Sequence, residues 1–587
     1  MSKFIIYQVL PRYFGNDCRN NIPNGSLSQN GVGKFSAFSE KALDSIRSLG
    51  VSYIWYTGVL EHATQTDYSS YGIAKDHSAI VKGKAGSPYA IKDYYDVDPD
   101  LADNVRTRKK EFQDLIARTH RAGMGVIIDF VPNHLARQYH SDAAPKGVRD
   151  FGADDRRDWS FYQQNNFYYL LGQSFEPRID RTASENGPYF EYPAKATGND
   201  CFSSCPNDHD WYETVKLNYG VDYQGGKAEH FDPVPDTWNK MLQVLLYWVK
   251  QGVDGFRCDM AEMVPAAFWS WVIPQVKSYA QGKTRNSKVK IPDFIGKNPL
   301  IFIGEVYNPG LYETYLASGF DYLYDKVGLY DTLKAVVQGN APAFSITSCW
   351  QNLGNKQAHM LNFLENHDEQ RIASDFFAGN PRKAFPALVV SSCMNTNPFM
   401  LYFGQELGEK GMYSEGFSGC DGRSTIFDYW SIDSVRAWRG AGSYEGSELT
   451  EDESFVRKYH SVLLNIVSHE PAIREGLFFD LMYVNGPSAE DGYSFNPACQ
   501  YAFMRKSDDA LILAVSNFSD QPKTVRVKVP LHAFEYFHLY DKALDGSSAV
   551  AEDLLTGDRI CMPVLPDGFV TMQLPAYGAR LWRYHLP

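Results

Sequence analysis

The stretch from Asp236 to Asp259, DTWNKMLQVLLYWVKQGVDGFRCD, holds one complete helix-to-strand unit that ends on a charge. Asp236 reads as the helix cap, Trp238, Leu242, Leu245 and Trp248 form one apolar stripe at helical spacing, and Gly252 is the stop. GFRC then reads as a short buried strand closed by Asp259. A carboxylate at the end of an apolar strand is costly to bury unless chemistry or pairing requires it. The same arrangement recurs in FIGE, closing on Glu305, and in FLENHD, closing on Asp368. Three acids at strand ends point to one shared site.

Outward from this unit the alternation continues in both directions. Phe4 to Val9 reads as a strand, Ser39 to Leu49 as a helix with Leu43, Ile46 and Leu49 on one face, and Tyr53 to Tyr56 as the next strand. A helix over Val105 to Ala122, with Gly123 behind it, leads into a third strand, GVIIDF, at Gly125 to Phe130. Strands near Ile301 to Gly304, Phe320 to Tyr324, Met360 to Leu364 and Phe399 to Phe403 bring the total to eight. Alternating units of this kind predict the α/β class, and eight of them predict a closed (β/α)8 TIM barrel.

Between about 135 and 235 the rhythm breaks in a segment rich in Asp, Asn, Gly and Tyr, too long for a plain loop and therefore read as an inserted subdomain after strand 3. Past about residue 470 short alternating runs such as Val525, Val527 and Val529 predict a C-terminal antiparallel β-sandwich domain. The expected division is 1–134 with 236–470 as the barrel, 135–235 as the insertion and 471–587 as the C-terminal domain.

Composition narrows the partners. With 44% hydrophobic and 22% charged residues over 587 positions, the chain has the make-up of a water-soluble globular protein of two or three domains. A net charge of -13 with no Lys/Arg cluster disfavours nucleic acid and anionic membrane, either of which needs a basic face. A neutral ligand fits better, and the 38 tyrosines and 36 phenylalanines, mostly core, include rings able to stack on sugars. The start MSKFIIYQV lacks a basic stretch followed by a cleavable apolar segment, so a cytoplasmic location is the expectation. Nine cysteines show no metal-ligand spacing, although Cys201 and Cys205 in CFSSC are near enough in sequence for a disulfide.

In a βα barrel the loops after the strands carry the site, which gathers Asp129, Asn133, His134, Arg257, Asp259, Glu305, His367 and Asp368 at one mouth. Retaining cleavage of a glycosidic bond needs two carboxyl groups about 5–5.5 Å apart, one attacking and one protonating the leaving oxygen. Arg257, two residues before Asp259 on the same strand face, is expected to lower the pKa of that aspartate. Glu305, with apolar Ile303 and Val306 around it, is the candidate for the protonated partner, and Asp129 and Asn133 are expected to be structural.

At these residues the chain resembles the α-amylase superfamily, glycoside hydrolase family 13: DFVPNH, GFRCD, GEVY and ENHD match four of its signature segments in order. The resemblance covers essentially the whole chain. It implies Asp259 as nucleophile, Glu305 as general acid/base and Asp368 as transition-state stabiliser, with Arg257, His134 and His367 as substrate-binding partners and Tyr89 as the ring on which glucose stacks. The expected substrate is an oligosaccharide, cleaved at α-1,4-glucosidic bonds. The rival reading is a 4-α-glucanotransferase of the same fold, in which a sugar hydroxyl replaces water. A third reading, a carbohydrate-binding or transporter-associated relative without catalysis, is disfavoured by the intact acids.

Two departures concern metals and subgroup. Many relatives bind Ca²⁺ with the Asn of the first motif and an Asp in a DLN segment; here the segment is VKLN, and Lys216 stands in the acidic position. Asp17, Asn20 and Asn21 in FGNDCRNN are similar to a second Ca²⁺ loop of some relatives, but Lys34 stands where one of those would place an acid. No cofactor is therefore expected to be required. The KLN pattern resembles the neopullulanase and cyclomaltodextrinase group, whose N-terminal β domain has no counterpart before the first barrel strand. Oligomeric state is not legible from the sequence.

Overall fold

The computed structural model describes residues 3–179, 187–282, 300–486, 495–539 and 544–586. Eight parallel strands close into a barrel: β1 (Ile5–Val9), β2 (Tyr53–Tyr56), β3 (Gly125–Phe130), β4 (Gly255–Cys258), β5 (Ile301–Gly304), β6 (Tyr322–Tyr324), β7 (Met360–Phe363) and β8 (Phe399–Tyr402). Each strand pairs with its neighbours in sequence, and β8 pairs with β1 to complete the ring. The sixth strand begins two residues later than its apolar run, and the helix read over Val105 to Ala122 begins as a single 3₁₀ turn before becoming α-helical at Arg108.

The unit quoted at the outset illustrates how the barrel is built. Its helix, α1 (Asp236–Gln251), buries Trp238, Met241, Val244, Leu245 and Trp248, and Gly252 closes it in the left-handed region at φ 103. Burial of each such side chain removes it from water at roughly 1.5–3 kcal/mol. Two expectations are corrected here. Pro235 is the N-cap, and Asp236 is the first helical residue, where its carboxylate accepts from Asn166 and pairs with Lys240. Leu242 lies beside the buried stripe and is only half-buried, because the face turned to the barrel runs through Met241 and Val244.

The long excursion after β3 is made of short strand pairs. His134–Ala136 pairs with Thr214–Lys216, and Tyr169–Leu170 pairs with Ala194–Lys195, around a small apolar cluster of Ile80, Leu170, Phe175, Ala194 and Tyr212. Cys201 and Cys205 are both free thiols, so the CFSSC spacing makes no disulfide.

Beyond the barrel, six strands form an antiparallel sheet that includes β9 (Gln500–Lys506) and β10 (Ala510–Asn517), with a separate antiparallel pair, Lys523–Val529 with Gly568–Leu574. Strand alternation sorts its side chains cleanly. Tyr501, Phe503, Ile512 and Ala514 join the barrel core, whereas Ala502, Met504, Leu511, Leu513 and Val515 join a second core with Val525, Val527 and Val529. The sheet is buried on both faces, which accounts for the unbroken run LILAV. Among the described residues no helix is long and apolar enough to cross a membrane.

Candidate active site

The carboxyl ends of the strands meet at a cavity of about 280 Å³ lined by Asp259, Glu305, Asp368, Tyr89 and His134 among others. Asp259 follows β4 directly, and its N–H donates to Phe130 O (2.9 Å), so the strand ladder fixes where the carboxylate emerges. Its Oδ1 accepts from Arg257 Nη1 (2.7 Å). Its Oδ2 has no hydrogen-bond partner among the described residues and lies 4.0 Å from His134 Nε2.

Glu305 follows β5. Its Oε2 accepts from the Met260 N–H (2.6 Å) and its Oε1 from the Tyr307 hydroxyl (2.6 Å), while Arg257 Nη2 stands 2.8 Å from Oε2. Met260 takes a left-handed conformation (φ 43), unusual for a side chain with Cβ, and this turn aims its N–H at the glutamate. One fully buried guanidinium thus bridges both carboxyls. Arg257 itself does not line the cavity; it stands beneath the acids, also 3.7 Å from Asp129 and donating to the Tyr324 hydroxyl.

The expected depression of the Asp259 pKa is not what this setting produces. Burial, joined by the charges of Glu305 and Asp368, pushes the Asp259 carboxyl well above the ordinary range against the opposing pull of Arg257. The sequence pattern shows the neighbouring arginine but not the depth of the pocket. Ile303 and Val306, expected around Glu305, are fully buried, and the contacts its carboxyl makes are the polar ones given above.

Asp368 sits at the rim, its side chain 42% exposed, with His367 Nε2 3.0 Å away. Desolvation would raise its pKa, but His367 and then the more distant Arg257 and Arg423 outweigh it and hold the group below the usual carboxylate range. His367 also stands behind the lining. It contacts Gln8 through Nδ1 (2.8 Å) and the Tyr89 hydroxyl through Nε2 (2.6 Å), with its ring stacked on Tyr89. His134 is kept neutral: burial first, then the charges of Lys216 and Lys82, bring it down to about 3.

Asp129 and Asn133 are both tied into the fold by hydrogen bonds. Asp129 Oδ2 accepts from Trp55 Nε1 and Gly58 N, and Asn133 Nδ2 donates to Gly198 O (2.7 Å). Lys216 occupies the place where the resemblance implied a metal ligand. Its ammonium is surrounded by Asn133 Oδ1 (2.5 Å), Met263 O (3.2 Å) and Asp200 Oδ1 (2.6 Å). The second candidate loop does not offer a cage either. Asp17 pairs with Arg439 (2.6 Å), the Asn21 amide oxygen accepts from Ser431, Asn20 is exposed, and the Lys34 ammonium donates to the carbonyls of Asp100 and Ala102.

Lys82, Trp211, Glu213, Tyr307, Ile426 and Phe427 also line the cavity, and none was singled out from the sequence. Tyr307 closes the GEVY segment, and the others come from loops far apart in the chain with no local signal. The loop after β8 brings Ile426 and Phe427 into place through Thr425, whose N–H donates to buried Glu415 Oε2 (2.6 Å). Burial, aided by the charges of Glu409 and Asp428, pushes Glu415 up to about 8. A carboxyl raised in the fold lends stability that is complete below about pH 4.5 and is lost as pH climbs through about 8. Glu415→Gln is therefore expected to leave Tm nearly unchanged at pH 5 and to exceed wild type at pH 9. Thermal melts across that range check it, and a pH-independent difference would refute it.

Fold and site together define a (β/α)8 barrel with acids from the segments after β4, β5 and β7 converging on one small cavity. The family description "Alpha amylase, catalytic domain" matches residues 8–440, and the chain belongs to this family. It is 24% identical over 539 residues to an α-amylase of Streptomyces lividans, covering 84% of this chain and 51% of that one, so it spans about half that relative's length. It is 23% identical over 551 residues to a cyclomaltodextrinase of a Bacillus species, covering 90% and 75% of the two chains. The solved structure of AmyP in complex with maltose superposes with a TM-score of 0.62 at 17% identity, covering 99% of this chain and 96% of that one.

Proposed function

We propose that the protein is a retaining glycoside hydrolase that cleaves α-1,4-glucosidic bonds of maltooligosaccharides or related α-glucans. The observation that carries this reading is the pair Asp259 and Glu305, facing one cavity and bridged by a single guanidinium. In the reacting form Asp259 is ionised and Glu305 carries a proton: Asp259 Oδ2, the oxygen left free by Arg257, attacks the anomeric carbon while the glycosidic oxygen departs with the proton from Glu305. Water, deprotonated by Glu305, then attacks the same carbon and releases Asp259. Two inversions make one retention.

The remaining groups bind and orient. Asp368 and neutral His134 hold sugar hydroxyls, and the Tyr89 ring forms the platform of the sugar subsite. Arg257 and His367 act from behind, one on the two central carboxyls and one on Asp368 and Tyr89. The names of the relatives, an α-amylase and a cyclomaltodextrinase, and the maltose in a similar fold support an α-glucan as substrate.

Digestion of maltoheptaose is expected to yield only shorter products that appear first as α-anomers in NMR. Products longer than the substrate would favour the glucanotransferase reading, and initial β-anomers would overturn the retaining mechanism. Turnover is expected to stay within about twofold in EDTA, well below Tm, because the reacting groups are all protein carboxyls and Lys216 supplies the positive charge at Asn133. Activity lost in EDTA and restored by Ca²⁺ would contradict this.

A further inference from the structure

Away from the cavity, the hairpin that follows β2 buries three carboxylates together: Glu61 on the strand Leu60–His62, and Asp93 and Asp96 on the strand Ile91–Val97. One oxygen from each lies within 4.8 Å of the other two, and all three residues are at most 1% exposed. Asp96 is held by Arg108 through Nε (3.0 Å) and Nη2 (2.7 Å). Asp93 accepts from Tyr95 N, Ser141 Oγ and Ala143 N.

Glu61 is different. Neither of its oxygens has a hydrogen-bond partner among the described residues. The nearby Lys92 ammonium is engaged elsewhere, with Asp76 (3.0 Å) and the Ala74 carbonyl. Three carboxylates less one guanidinium leave two negative charges in a space closed to water. A buried charge without a partner is among the costliest arrangements a fold can keep.

We propose that Glu61, Asp93 and Asp96 form a binding site for a hard divalent cation, Ca²⁺ in the first place. The donor set is all oxygen, and the two uncompensated charges match the charge of the ion. Oxygens about 2.3–2.6 Å from one Ca²⁺ can stand as far apart as these do, whereas Mg²⁺ requires about 2.0–2.1 Å and retains several waters, for which a buried cluster has little room. The ion would tie the hairpin to residues 141–143 of the insertion through Asp93 and to the helix Arg108–Arg121 through Asp96 and Arg108. None of the three acids lines the cavity, so the ion acts on stability and not on turnover. The proposal does not depend on the glycosidase reading.

The test uses the full chain, stripped with EDTA, dialysed and titrated with CaCl2 by calorimetry and thermal melts. One Ca²⁺ per chain is expected, with Tm about 2–3 °C higher at a concentration a hundred times Kd. Glu61→Gln and Asp93→Asn are each expected to weaken Ca²⁺ at least tenfold and to abolish the Ca²⁺-dependent rise. Glu61→Gln without Ca²⁺ should melt at or above the stripped wild type, since it removes the unpaired acid. Two results would overturn the proposal: no Ca²⁺ binding by stripped wild type up to about 5 mM, or unaltered binding in the Glu61→Gln protein.

Discussion

Asp259→Asn is expected to lower kcat on maltooligosaccharides by about four orders of magnitude or more, the scale on which loss of a nucleophile acts. The amide keeps the shape of the carboxylate, and its oxygen can still accept the hydrogen bond from Arg257 Nη1 that now measures 2.7 Å. Arg257 also retains Glu305, 2.8 Å away, so the guanidinium is not left unpaired. Removing a charge that burial and two neighbouring carboxyls disfavour leaves Tm unchanged or raises it. Oligosaccharide binding by calorimetry should persist while turnover disappears. Turnover within tenfold of wild type would remove Asp259 from the nucleophile's role.

Lys216→Met is expected to cost about 3 kcal/mol of stability and to lower kcat about tenfold. Methionine fills most of the same volume, so the loss isolates the ammonium from the packing. Without it Asn133 Oδ1 and the Met263 carbonyl lose a buried donor, and Asp200, whose side chain is 34% exposed, loses its counter-charge. Lys216 lies opposite His134 in the strand pair that opens the insertion, and Met263 closes the turn begun by Met260, the donor to Glu305. A disturbance at this ammonium therefore reaches both sides of the cavity. Melting and rates equal to wild type would show that it is dispensable.

Much of the architecture was legible because its signals are local. Strand GFRC, the glycine stop at Gly252 and the acids closing β4, β5 and the β7 loop are each set by a few adjacent residues and by period alone. What escaped reading depends on distance in three dimensions. The Met260 N–H meets Glu305 only because β4 and β5 are neighbours in the barrel, with Cys258 beside Gly304 in the ladder. The direction of the Asp259 shift was misread for the same reason: a sequence shows that Arg257 is near but not how little water reaches the pair. Glu61, one acid in GVLEHA, gave no sign that Asp93, thirty-two positions on, would face it across a hairpin.

The twofold burial of the C-terminal sheet has a consequence for how the molecule comes apart. The helix Phe385–Cys393 presents no polar face to solvent, because all nine of its residues are covered, in part by the strands Ala510–Asn517 and Gly578–His585. Trimming the chain after the helix Glu451–His469 would strip that cover and leave a sticky, apolar wall on the barrel's flank. One face of the C-terminal sheet thus shares the barrel's core, and heat or denaturant should melt the two in a single step.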